Sequence, residues 1–320
     1  MRRLALTTVL AVMVGCGRPS PPVLSDIKST VKVPQRLILE SEISGRVLAY
    51  ELKRPCGVAV GPLGELYIAD SGNNRLIKLD GQLNPVRDYG SYGEGIGRFH
   101  NPEDLVIDRG LTLYVVDASN RRVVLMNMDL NYVGEIIPQD APNEILSSQG
   151  RLSGVAISPL GEVTVADYDN SRLIRLDNFG RFSRYVGDFG YGKGALLNPL
   201  GLATDKAGRC YVADGANGRI AVYDDFGNYL YEFGGGDLKR PSAIAVSPQG
   251  AIWVGDRDTD ELYAFTNDGR LLFHTGSTGQ EEGQFSDIEA LAIASDGSIY
   301  VADAGNNRIL HLSIEYEENQ

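Results

Sequence analysis

Near its C-terminal end the chain reads VADAGNNRILHL (Val301 to Leu312), with Asp303, two asparagines and Arg308 packed into one short phrase. An acid and a cation so placed are a pair that could be poised over a substrate. Similar phrases occur earlier. Asp70 and Arg75, Asp117 and Arg122, Asp167 and Arg172, and Asp214 and Arg219 keep the same Asp-x4-Arg spacing, and Asp256 begins a sixth copy in which the arginine is lost. A site gathers different residues at one place, whereas this feature is copied into nearly every unit. The simpler reading is therefore a structural corner, in which the carboxylate accepts turn N–H groups, the asparagine makes its own turn and the arginine bridges strands.

The six aspartates are separated by 47, 50, 47, 42 and 47 residues, a period that belongs to solenoids or propellers. Each unit holds four short apolar runs divided by Gly-bearing turns, which predicts four antiparallel strands, and no stretch keeps a helical period. Units of this kind arranged radially are blades, so the fold class is all-β: a six-bladed β-propeller of four-stranded antiparallel blades. The last unit stops before its fourth strand. A strand from the N-terminal side is expected to complete it, and GRVLAYEL (Gly45 to Leu52) is the candidate.

The phrases P-x-G-[VIL]-A, Y-V-A-D-x-x-N-x-R-[IL] and G-x-x-G-x-G-x-F-x-x-P resemble the NHL repeat from about Gly45 to Ser313. Units one, three, four and six match best. Unit two replaces the glycine loop with PQDAPNEILSSQGRL, and unit five has Thr259 and Glu261 where asparagine and arginine are expected. Glycine-dense stretches such as GSYGEGIGRF (Gly90 to Phe99) have no helix behind them to cradle a phosphate and are read as blade-to-blade crossovers.

In a propeller the first strand of each blade lines the central channel. Repeat alignment places Cys56, Glu103, Ser153, Leu200, Ser242 and Glu289 at its mouth. The NHL-like amidating lyases carry histidine zinc ligands at this ring; here no ring residue is histidine, and His100, His274 and His311 fall in a crossover or in outer strands. Cys56, Glu103 and Glu289 lie on neighbouring blades and are candidate ligands for a divalent metal, with capture by water alone as the other reading. Gluconolactonase-like and strictosidine-synthase-like propellers need an acid and asparagines converging on the axis, and no such set aligns. No Ser-His-Asp or Cys-His constellation can be assembled, so no catalytic residue is assigned.

The chain has 320 residues and a net charge of -12. Removing Arg2 and Arg3 with an N-terminal signal takes that to -14, a surface that repels phosphate backbones, so no nucleic-acid partner is expected. MRRLALTTVLAVMVGC has two arginines, an apolar run from Leu4 to Val14 and a small residue before Cys16. It resembles a bacterial lipoprotein signal (residues 1–16) with Cys16 as the lipidated residue; a plain signal peptide cleaved nearby is the alternative. Residues 17–35 are rich in proline and small polar residues and read as a tether, 36–315 as the propeller and 316–320 as an acidic tail. Cys56 and Cys210 sit in distant apolar runs, which argues against a disulfide framework.

These features point to an envelope-anchored, non-catalytic binding or scaffold protein, facing the periplasm or held at the outer membrane. Its partner would be a protein, peptide or glycan, with the membrane reached through the lipid anchor. Arg257, Asp258, Asp260 and Glu261 are the binding candidates, because unit five relaxes the corner there. A metal-dependent lyase or hydrolase at the central axis is the alternative.

Overall fold

The computed structural model describes residues 31–138 and 150–317. Cys16 and the lipoprotein signal, most of the expected tether and most of the replacement loop of unit two lie outside them. Six four-stranded antiparallel sheets form the blades. The inner strands are Pro55–Val60, Pro102–Ile107, Leu152–Ile157, Pro199–Thr204, Pro241–Val246 and Ile288–Ile293. Among the described residues the only helices are three short 3-10 turns at corners, Ser71–Asn73, Ala118–Asn120 and Gly215–Asn217.

The second and third strands of every blade are buried on both faces, because each blade packs between two others. Six apolar clusters result, one per seam. Tyr67 and Leu76 of blade one meet Val115 and Met126 of blade two, and the series ends where Tyr300 and Ile309 of blade six meet Ile68 and Ile77 of blade one. That last seam closes the ring. Near the axis the blades approach so closely that a Cβ on Gly154 would stand 2.2 Å from the Leu200 carbonyl oxygen, and one on Gly201 2.5 Å from that of Ser242. In blade two the equivalent position is Asp104, whose side chain instead spans the seam and accepts the Val155 N–H at 2.9 Å.

The last blade is completed from the N-terminal side, but not by Gly45–Leu52. Pro34–Ile43 pairs antiparallel with Arg308–Tyr316, Pro34 opposite Tyr316 and Ile43 opposite Ile309. It thus takes in Pro34 and Gln35, which the sequence assigned to the tether. The expected segment folds instead into a small hairpin, Arg46–Val47 with Tyr50–Glu51. Its position explains the difference: Tyr50 and Val47 supply carbonyls to Arg75 of blade one, so the segment is already used as the crossover into that blade.

The disc has two unlike faces. Corners and crossovers make one, here the corner face; the tight turns joining first to second and third to fourth strands make the other, the turn face. Pro34, at the start of the closing strand, lies on the turn face, as its pairing with Tyr316 requires.

Candidate functional site

Each recurring aspartate is buried and spoken for. Asp303 accepts the Ser286 N–H at 2.7 Å and the Asn306 amide at 2.9 Å, and meets Arg308 Nε at 2.7 Å. Arg308 then reaches Glu42 on the closing strand at 3.1 Å and the Gln284 carbonyl at 2.9 Å. Asp70 with Arg75, Asp117 with Arg122, Asp167 with Arg172 and Asp214 with Arg219 pair at 2.8 to 3.0 Å. Burial pushes the Asp214 and Asp303 carboxyls upward against the pull of these donors. These contacts tie one corner to the crossover entering its own blade and keep its carboxylate out of solvent.

The predicted ring assembles. Cys56, Glu103, Ser153, Leu200, Ser242 and Glu289 all line the central channel, a cavity of about 660 Å³. The ring is two-sided. Ser153 donates to the Pro199 carbonyl at 2.7 Å, Ser242 donates to that of Ile288, and Leu200 is buried, so blades three to five present a sealed arc. Blades six, one and two present Glu289, Cys56 and Glu103.

Residues just above the ring meet those acids. Arg54 reaches from blade one to Glu289 at 2.7 Å, and Arg151 from blade three to Glu103 at 2.6 Å. Asn101 also donates to Glu103, at 2.5 Å. Arg257 of blade five lies 2.8 Å from Glu289 and 2.6 Å from Asp287. Arg257 thus joins the blade-five corner to the ring, which the sequence kept apart. Arg54 and Arg151 remain partly exposed, and Arg151 lies over the Tyr168 ring, 4.4 Å from its centroid.

The remaining blade-five candidates divide. Asp258 is exposed, 4.0 Å from Arg240. Asp260 is buried and not free to bind a partner: it accepts the Asp287 N–H at 2.8 Å and the Thr278 hydroxyl at 2.7 Å. Asn74 serves Asn101 and Asn307 serves Arg54 in the same way, so Asp260 is this blade's version of a seam fastener. It holds φ at 54°, which short polar side chains tolerate. Glu261 stands where the arginine is expected, accepts the Tyr263 hydroxyl at 2.6 Å and lies 3.5 Å from His274.

The candidate metal ligands Cys56, Glu103 and Glu289 already have other partners at this mouth. Among the described residues no three His, Cys, Asp or Glu side chains stand together as a metal would need. Burial, reinforced by Glu289, pushes the Cys56 thiol up to about 12, so it stays protonated and donates to the Arg54 carbonyl. Both glutamates are engaged by guanidinium groups, and no histidine lines the channel. Burial outweighs Arg151 and lifts Glu103 to about 7; burial likewise raises Glu289 against Arg257. One layer deeper, burial raises Asp104 to about 7, although its carboxylate accepts the Val155 and Leu105 N–H groups. Asp104 was missed in the sequence. Its signal was a carboxylate at a repeat position held elsewhere by glycine or alanine: Gly57, Gly154, Gly201, Ala243 and Ala290.

The chain carries NHL repeats: residues 52–79 and 285–312 match that family, covering much of blades one and six. Brain tumor protein of Drosophila melanogaster is 29% identical over 126 residues, 39% of this chain and 12% of that protein. Human NHL repeat-containing protein 3 is 26% identical over 198 residues, 58% of this chain and 53% of its own length. The chain thus spans about half or less of these two relatives. Among solved structures, a streptogramin B lyase superposes with a TM-score of 0.63 at 12% identity, over 87% of this chain and 98% of that one. A catalytically inactive virginiamycin B lyase from Staphylococcus aureus with quinupristin gives 0.61 at 16%, over 89% of both. At such identities the likeness is one of fold.

Proposed function

We propose that this NHL-repeat propeller is a non-catalytic binding or scaffold protein that engages a protein or peptide partner through its corner face. One observation carries the reading: the channel mouth is a preassembled charged surface in which every ring acid already has a guanidinium partner. Such a surface offers directional ion pairs and hydrogen bonds, and no free base, nucleophile or metal-ligand set. Tyr92 and Tyr191, exposed on the crossovers of blades one and three, add amphipathic contact area of the kind interfaces favour. The NHL relatives support a binding role, and the lyase structures share the fold alone.

Anchoring in a bacterial envelope is part of the proposal and rests on the sequence before Cys16. A glycan is the other class of partner that aromatic crossovers suit. The test is capture from detergent-solubilised native envelope with the full chain as bait. The same partner should be recovered by the parent and lost with Arg54→Ala and with Arg257→Ala, both retaining the parent's thermal midpoint. Retention by both variants would move the site elsewhere. Turnover by the purified protein on lactone or ester panels, abolished by Glu103→Gln, would replace the reading with the enzymatic one.

A further inference from the structure

The tight turns of the turn face carry a feature that neither the fold nor the corner-face site uses. In four of them the third residue is large and apolar: Leu63, Leu160, Phe179 and Phe226, exposed by 83%, 72%, 76% and 71%. Each sits at the apex of a turn closed by a backbone hydrogen bond of 2.9 to 3.1 Å, from Gly64 to Gly61, Gly161 to Ser158, Gly180 to Asp177 and Gly227 to Asp224. That apex points away from the sheet and asks for no apolar side chain. The same position holds Gln82, Asp129, Ala207, Gln249, Asp268 and Asp296 in other turns. The apolar tips thus stand on blades one, three and four of one face as separate, exposed side chains.

We propose that the turn face docks on a lipid bilayer, with these four tips entering the interfacial region. The direction of the chain selects this occupant. The closing strand starts at Pro34 on the turn face, and the sequence before it carries the apolar run Leu4 to Val14 and Cys16, so any attachment there is joined to the body on this side. Separate apolar tips on rigid turns each bury one side chain at the headgroup boundary without disturbing the blades. The turn face is also acidic, with Asp177 in the turn of Phe179, Asp224 and Asp225 in that of Phe226, and Asp268 and Asp296 at the tips of blades five and six. Docking on this face is therefore driven by apolar burial and opposed by anionic lipid. A partner on the corner face would be left accessible.

The test uses residues 31–320, which form one compact unit holding every blade strand and the closing strand. The protein should float with phosphatidylcholine vesicles, and less with phosphatidylglycerol vesicles at low salt, the two converging as salt is raised. Phe179→Ser should weaken partitioning by roughly three- to tenfold, and serine at all four tips should abolish it. Because the tips touch no core, these variants should keep the parent's thermal midpoint, which separates lost docking from lost folding. Serine at Ile96 and Phe189 on the opposite face should leave flotation intact. No flotation of the parent, flotation surviving the fourfold change, or tip-dependent self-association in light scattering without vesicles would each overturn the proposal. Corner-face capture is read separately and stands or falls by itself.

Discussion

Taking the carboxylate from Asp303 would leave the buried Arg308 with Glu42 alone as a charge partner and strand the Ser286 N–H and Asn306 amide that Asp303 satisfies. Asp303→Ala should therefore lower stability by about 3–5 kcal/mol in denaturant unfolding, whereas Asp258→Ala, at an exposed site, should stay within about 0.5 kcal/mol. Equal effects would mean the corner is not the fastener its geometry describes. Glu103 behaves differently, since burial raises it from an ordinary 4.5 to about 7. Between those values the folded chain binds more protons at this residue than the unfolded chain does, so stability should rise as pH falls from about 7 to about 5. Glu103→Gln should flatten the thermal midpoint against pH in that window. Asp104, raised to about 7 in the same channel, should leave part of the slope in place.

At the scale of elements, the repeat was legible because each blade writes its own corner: an aspartate, a turn and an arginine within one phrase. The inner ring was legible for the same reason, since repeat alignment converts sequence position into position around an axis. That a strand from the N-terminal side completes the last blade was legible; which strand was not. Pairing of Pro34–Ile43 with Arg308–Tyr316 joins the two ends of the chain, and nothing local in PQRLILESEI names a partner so far away. Prolines and exposed polar positions make its start look like linker, while GRVLAYEL shows cleaner alternation beside the first blade. Arg257 meeting Glu289 was hidden likewise, because the contact crosses a seam between blades five and six. The register itself makes a prediction. Since Pro34 stands opposite Tyr316, moving residues 34–43 to follow Tyr316 through an Asn-Gly turn should build an ordinary hairpin in blade six. The permuted protein should keep its β-sheet circular dichroism and lose thermal stability, because the closure no longer ties one end of the chain to the other. Failure to unfold cooperatively would show that the ring depends on the covalent path into blade one.

The propeller is a disc whose two faces are written by different parts of the repeat: crossovers and corners supply aromatic and arginine side chains to one, and turn apices supply Leu63, Leu160, Phe179 and Phe226 to the other. If the turn face rests on a bilayer and the corner face receives the partner, the faces must differ in solvent access when the full chain sits in native envelope. The described residues supply a quiet background for measuring this, and Cys16 is the one further cysteine of the chain. Cys56 and Cys210 are buried, and burial pushes both thiols up to about 12, so neither offers a thiolate at neutral pH. A cysteine introduced by Leu63→Cys or Phe226→Cys should react several-fold more slowly with a charged maleimide in envelope vesicles than after detergent extraction. One introduced by Tyr92→Cys should react at similar rates in both once the vesicles have been washed with high salt to release a corner-face partner. Protection of the corner-face thiol with a reactive turn-face thiol would reverse the orientation, and equal rates at all three positions would mean that neither face is held against the membrane.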